Sequence, residues 1–131
     1  MPRITRLPPP LNWLYAAYAY VAFVPVIVCA LIGALLLPSL GLRRGTARAA
    51  ARSWMLLTGM RLEILHPERL PAGQCVVVSN HAGYLDGLVF TAALPPRFGF
   101  VIKREMSAIP LAGFLLSRIG SQFVEIGRAH V

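Results

Sequence analysis

Acidic residues are scarce in this sequence: five Asp and Glu stand against thirteen Lys and Arg, and none of the five occurs before residue 61. The formal net charge is +8, and six arginines (Arg3, Arg6, Arg43, Arg44, Arg48, Arg52) flank a stretch from Leu7 to Leu42 that has no charge at all. That absence of charge exceeds the ~20 apolar residues a helix needs to cross a bilayer, so the segment must meet lipid. Cysteine is nearly absent too. Cys29 and Cys75 have neither metal-ligand spacing nor the density of a disulfide scaffold, which excludes a small stapled fold and predicts no metal site. Both read as small core residues in a reducing compartment. No Gly-x-Ser-x-Gly elbow is present, which argues against a serine hydrolase built on Ser79, and Cys75 falls inside a predicted strand, a poor place for a nucleophile.

What is present is apolar. The chain is 56% hydrophobic and 14% charged over 131 residues, a balance that suits one small domain plus a membrane anchor. The aromatics Trp13, Tyr15, Tyr18 and Tyr20 sit inside the apolar run rather than among the cations. A lipid surface therefore explains the basic excess better than nucleic acid, which is not an expected partner. A secretory signal would have a shorter apolar core and a small-residue cleavage site. Arginines are denser after the run than before it, so the positive-inside rule places Arg43 onward in the cytoplasm of a bacterial-type inner membrane. Pro25 leaves two topologies open, a single span or a hairpin of two shorter helices dipped into one leaflet.

Along the chain, residues 1–42 form a Pro-rich leader and anchor. Pro38, Gly41 and Gly45 break the helix, and Thr46 is a fair N-cap for a second one reaching about Thr58. Arg44, Arg48 and Arg52 recur every fourth residue, opposite Ala47, Ala50, Ala51, Trp54 and Leu57, so residues 43–60 read as an amphipathic helix at the headgroup layer with Trp54 as its interfacial anchor. An ordinary surface helix with a solvated arginine face fits the same pattern. Gly59 ends it. Strands are expected at Arg61–Leu65, at Cys75–Val78, which has the appearance of a buried parallel strand, at Phe98–Lys103 and from Gln122. His66–Gly73 is a turn, and helices are expected at Tyr84–Leu94 and Pro110–Ile119, the second closed by Gly120. Strands alternating with helices over 61–125 predict an α/β fold.

Between the Cys75–Val78 run and the next helix lies Ser79-Asn80-His81-Ala82-Gly83-Tyr84-Leu85-Asp86, where open α/β sheets place their sites. A histidine there suits general-base work, its ordinary pKa being ~6.5, and a nearby carboxylate would fix its tautomer. Continuous helix would turn His81 and Asp86 roughly 140° apart, so they meet only if His81 is in the loop and Asp86 in the first helical turn. The bland alternative is a loop histidine beside a capping aspartate.

This stretch resembles the Asn-His-x-Ser-x-x-Asp signature of the glycerolipid acyltransferase family, which includes the 1-acylglycerol-3-phosphate acyltransferases. Lys103-Arg104-Glu105-Met106 is similar to the family's Lys-Arg-Glu-Leu element, followed by Pro110, Gly113 and Gly120-Ser121-Gln122-Phe123-Val124-Glu125. The resemblance runs from about Arg43 to Glu125, and the ordered combination is far more specific than a lone His-x4-Asp. It implies an N-terminal membrane helix or hairpin followed by an incomplete acyltransferase-type α/β domain. It also implies transfer of a fatty acyl group from acyl-CoA or acyl carrier protein, as donor substrate and without a cofactor, to a lysophospholipid acceptor. The expected acceptor is 1-acylglycerol-3-phosphate, giving phosphatidate; another lysolipid, such as one with an amino-acid headgroup, and a non-catalytic membrane-binding module are the alternatives.

In that family reading His81 is the base and Asp86 orients it, while Asn80 and backbone amides near Gly83 support the loop or the oxyanion. Lys103 and Arg104 bind the acceptor phosphate, or are simply solvated charges at a strand end. Gly83 departs from the family's usual serine, which removes a hydroxyl but neither catalytic group.

The pattern also calls for arginine at 126, where the sequence has Ile126. Residues 126–131 are what the codons ATC GGA AGA GCA CAC GTC encode, a string similar to a short-read sequencing adapter. The tail is therefore expected to be non-biological, the later Pro-Glu-Gly element to lie beyond 131, and this piece alone to be poorly soluble and inactive, with sheet edges left open.

Overall fold

The computed structural model describes residues 8–80, 83, 85–125 and 127. It is mostly helical. Helix α1 spans Pro9–Leu36 without a break. Its two prolines at the start fit the first turn, where amide donors have no partner to lose. Pro25 sits inside α1 on its exposed side, so the hairpin that proline permits does not form there. At 28 residues α1 is about 42 Å long, long and apolar enough to cross a membrane by length and composition.

A hairpin does form, but between α1 and the next helix. Helix α2 spans Leu40–Leu57, and its N-cap is Ser39, whose side chain accepts from the Leu42 amide, not Thr46. Gly41 and Gly45 are carried within the helix rather than breaking it, because packing outweighs their weak local preference. Thr46 instead lies one turn in and donates its hydroxyl to the Leu42 carbonyl at 3.0 Å. The helices close on a stripe of small residues, with Ala30, Gly33 and Ala34 of α1 and Ala47 and Ala51 of α2 buried. Gly33 lies so near Thr46 that a Cβ there would come within 2.6 Å of its methyl group.

The far end of the hairpin is tied by side chains. Tyr15 and Tyr18 donate their hydroxyls to the carbonyls of Thr58 and Leu57 at 2.8 and 2.7 Å. Trp54 is 8% exposed: its indole donates to the Ala19 carbonyl at 3.0 Å, and its ring meets Phe23 edge-to-face at 5.7 Å. Trp54 is thus the centre of the core with Ala51, Met55 and Ala92, not an interfacial anchor. The aromatic pair adds about 0.5–1.5 kcal/mol beyond its buried area. Cys29, expected in the core, is exposed, and Cys75 is half-buried.

Two arginines of the α2 stripe reach backbone carbonyls of other elements. Arg44 donates to the carbonyls of Ile119, Arg97 and Gly120, and Arg52 to that of Ala92 at 2.9 Å. Arg43 closes over Leu37 and Pro38 at the end of α1, where Arg118 also reaches the Ala34 and Leu35 carbonyls. The last carbonyls of a helix lack intrahelical donors and carry the negative end of its dipole, so guanidinium forks find their partners there.

Beyond α2, Gly59 turns the chain with φ +73°. The Arg61–Leu65 and Cys75–Val78 segments have no regular secondary structure, and Leu65 lies in a bend. Val76 and Val78 are 89% and 88% exposed, and among the described residues the run pairs with neither strand of the sheet. The carbonyls of Pro71, Ala72 and Gly73 are instead gathered by the Arg97 guanidinium. His66 is a turn residue, as expected, at φ 54° before a 3-10 turn at Pro67–Arg69.

Helix α3 is Asp86–Ala93 and stops at Leu94, before Pro95. Strand β1 (Val101–Lys103) leads into a 3-10 turn at Arg104–Ala108, then helix α4 (Ala112–Arg118) and strand β2 (Gln122–Val124). Helix α4 begins two residues later than the sequence suggests, after Leu111 at φ 62°, and Gly120 at φ +74° closes it. The strands pair in parallel, Val101 with Gln122 and Lys103 with Val124. Among the described residues, then, the expected α/β layers are reduced to a two-stranded parallel sheet beside a helical hairpin.

Candidate active site

Two groups of expected site residues are each assembled locally. The first is the turn into α3. The Gly83 amide donates to Asp86 Oδ2 at 2.9 Å, and the Asp86 amide donates back to the Gly83 carbonyl at 3.2 Å. Asp86 is the first residue of α3, whose N-cap is Leu85, so this pair of bonds closes a tight turn just ahead of the helix. Asp86 is half-buried at the start of α3, the first-turn position that a meeting with His81 requires. The Gly83 amide is already used by Asp86, so it is not a spare donor for an oxyanion. Asn80 is exposed, two residues after the Cys75–Val78 segment. His81 lies outside the described residues.

The second group stands at the carboxyl ends of the two strands. Parallel pairing with Lys103 opposite Val124 brings the next residues, Arg104 and Glu125, out side by side. They form an ion pair of 2.7 Å between side chains 65% and 75% exposed. Lys103 in turn meets Glu105 at 3.1 Å. The Glu105 carboxyl is held below its ordinary pKa, first by a hydrogen bond with its own backbone amide and then by Lys103. Both cations proposed for phosphate are therefore engaged by carboxylates. Neither Glu105 nor Glu125 is marked as a counter-ion by the sequence reading: Glu105 lies only two residues from Lys103, whereas Glu125 meets Arg104 through the parallel register, which no local pattern carries.

A tight approach fixes this corner. A Cβ on Gly113, in the first turn of α4, would collide with the Ser107 carbonyl, and Ser107 donates its hydroxyl to the Arg104 carbonyl at 2.6 Å. The 3-10 turn that presents Arg104 and Glu105 is thus pressed against α4, and glycine at 113 is needed for that contact.

The family model described as Acyltransferase matches residues 61–130, a region that holds both groups. Human 1-acyl-sn-glycerol-3-phosphate acyltransferase beta is 34% identical over 79 residues, which are 60% of this chain and 28% of that protein. The chain therefore spans less than a third of the length of this curated relative. No solved structure matches. Because the match covers more than half of the sequence and takes in the His-x4-Asp turn and both strand ends, the chain belongs to the acyltransferase family.

Proposed function

We propose that this chain is the front part of a membrane-bound O-acyltransferase of phospholipid biosynthesis. It moves a fatty acyl group from acyl-CoA or acyl carrier protein to the hydroxyl of a lysophospholipid, with 1-acylglycerol-3-phosphate as acceptor and phosphatidate as product. The observation that carries this reading is Asp86, held in the first turn of α3 by its bond to Gly83 within the family-matched region. From that position it orients His81. The acceptor hydroxyl oxygen attacks the thioester carbonyl while His81 takes its proton, and collapse breaks the carbon–sulfur bond as the proton passes to the departing thiolate. With the Gly83 amide occupied, Asn80 is the remaining side-chain candidate to support the developing oxyanion.

Replacing His81 with Ala in the full-length protein is expected to lower acyl transfer by about 10²–10⁴-fold without releasing the protein from membranes. Activity near the parent level would remove His81 from its role. If the full-length parent releases no thiol with any lysolipid, the membrane-binding module is the better reading.

For the membrane, the arrangement of α1 and α2 favours the one-leaflet topology. Helix α2 runs back along α1 from Thr46 beside Gly33 to Thr58 beside Tyr15, carrying Arg43, Arg44, Arg48 and Arg52 with it. A perpendicular span would take these guanidiniums into hydrocarbon at about 2.5–3.5 kcal/mol each near the centre. A hairpin resting in the cytoplasmic leaflet instead wets α2 and buries the exposed outer face of α1, which includes Trp13, Val21, Val24, Val28, Ile32 and Leu36. An N-terminal epitope should then be shielded from protease in sealed right-side-out vesicles. Cleavage of that epitope from outside would restore the single span, and release of the protein by alkaline carbonate would deny embedding altogether.

A further inference from the structure

A groove of about 780 Å³ opens where α2 gives way to the segment after Gly59, within the roughly 300–1,000 Å³ range of ligand sites. Met55, Leu56 and Met60 form its apolar part, and Arg52, Arg61 and Glu63 its charged part. Met55 belongs to the buried core, whereas Leu56 is 79% exposed. An apolar side chain held out beside two guanidiniums matches a molecule with a charged head and an apolar chain. Two cations against one carboxylate leave the groove one positive charge in excess. Arg52 spends its Nε on the Ala92 carbonyl, and Arg61 has no hydrogen bond or ion pair among the described residues. Guanidinium groups pair readily with phosphate oxygens, and one phosphodiester would neutralise the excess. The location fits a lipid as well. Just ahead of Gly59, the Leu57 and Thr58 carbonyls accept from Tyr18 and Tyr15 of α1, the helix long and apolar enough to cross a membrane. Arg52 meets α3 at Ala92, near the end away from Asp86.

We propose that this groove binds a membrane phospholipid with a net negative headgroup, its phosphate between Arg52 and Arg61 and an acyl chain along Met55, Leu56 and Met60. The site is separate from the acyl-transfer turn, and it rests on the reading of α1 as embedded in the membrane.

The test uses the full-length protein in detergent micelles, with the first bound lipid counted by native mass spectrometry. The probes are dioleoylphosphatidylglycerol and dioleoylglycerol, which has the same chains without the phosphate. Arg61→Gln should weaken phosphatidylglycerol binding about fivefold, the factor that one basic residue contributes beside an anionic lipid, and leave dioleoylglycerol unchanged. Arg69→Gln, which removes an exposed arginine outside the groove, should change neither. Unaltered phosphatidylglycerol binding in Arg61→Gln would overturn the proposal, as would an equal loss in Arg69→Gln, which would mean diffuse attraction to the basic surface. No preference of the parent for phosphatidylglycerol over dioleoylglycerol would overturn it too. Acyl transfer to 1-acylglycerol-3-phosphate in the same micelles should keep its KM in Arg61→Gln; a KM raised in step with the lost lipid affinity would make the groove the acceptor's own site and sink the proposal. A parent that binds phosphatidylglycerol through Arg61 but transfers no acyl group removes the acyl-transfer reading and leaves the lipid site standing.

Discussion

Asp86 closes the turn at Gly83; in the proposed function it also supplies charge to His81, and the substitution Asp86→Asn separates the two. Asparagine keeps a carbonyl oxygen for the Gly83 amide, so the turn and the stability of the protein should survive, while the charge that would stabilise an imidazolium is lost. Acyl transfer by the full-length variant is expected to fall by at least about 100-fold, the scale on which loss of an orienting carboxylate acts in other histidine-based sites. An Asp86→Asn variant as active as the parent would leave Asp86 a turn-closing residue only. Glu105 offers a second residue-level test, through pH. Its pKa is lowered in the folded protein, so its contribution is present above the ordinary glutamate range and is lost as pH falls through the lowered value. Carbon-detected titration should therefore find Glu105 titrating below a free glutamate. Lys103→Met should return it only part of the way, since the backbone hydrogen bond is the larger cause. Full return to the ordinary value would make Lys103 the whole cause.

At the scale of elements, the α1–α2 hairpin depends on close approach rather than on large apolar side chains. The Gly33–Thr46 contact leaves no room for a methyl group, so Gly33→Ala should push the helices apart and lower stability by about 1–3 kcal/mol. Thr46→Ala removes the methyl group in the way, so the double variant should recover most of that loss in thermal unfolding in detergent. Strict additivity of the two changes would show that the contact does not limit the packing. The same hairpin explains why the helix boundary was misjudged from sequence. Gly41 and Gly45 weaken a helix in isolation, but with Ser39 as cap and a whole neighbouring helix to pack against, α2 begins at Leu40. The boundaries of α3, β1 and β2 were legible to within a few residues because glycines and prolines punctuate them. Cys75–Val78 was not, because a β-branched run becomes a strand only beside another strand.

Across the whole molecule, arginines connect elements that contribute little core to one another. Arg44 alone reaches three carbonyls, those of Ile119, Arg97 and Gly120, joining α2 to the turn between α3 and β1 and to the α4–β2 junction. Arg44→Lys is expected to destabilise nearly as much as Arg44→Met, by about 1.5–3 kcal/mol, because one ammonium cannot span carbonyls that a planar fork reaches together. Lysine restoring parental stability would mean that charge alone suffices. The ordered motifs identified the family and the uncharged run identified a helix long and apolar enough to cross a membrane, since both depend on residue types and their order. Tertiary structure alone decided that Arg44 and Arg52 cap helix ends, that Trp54 is buried, and that Glu125 stands against Arg104. Each of these depends on which distant backbone lies opposite a side chain, and neither periodicity nor composition encodes that.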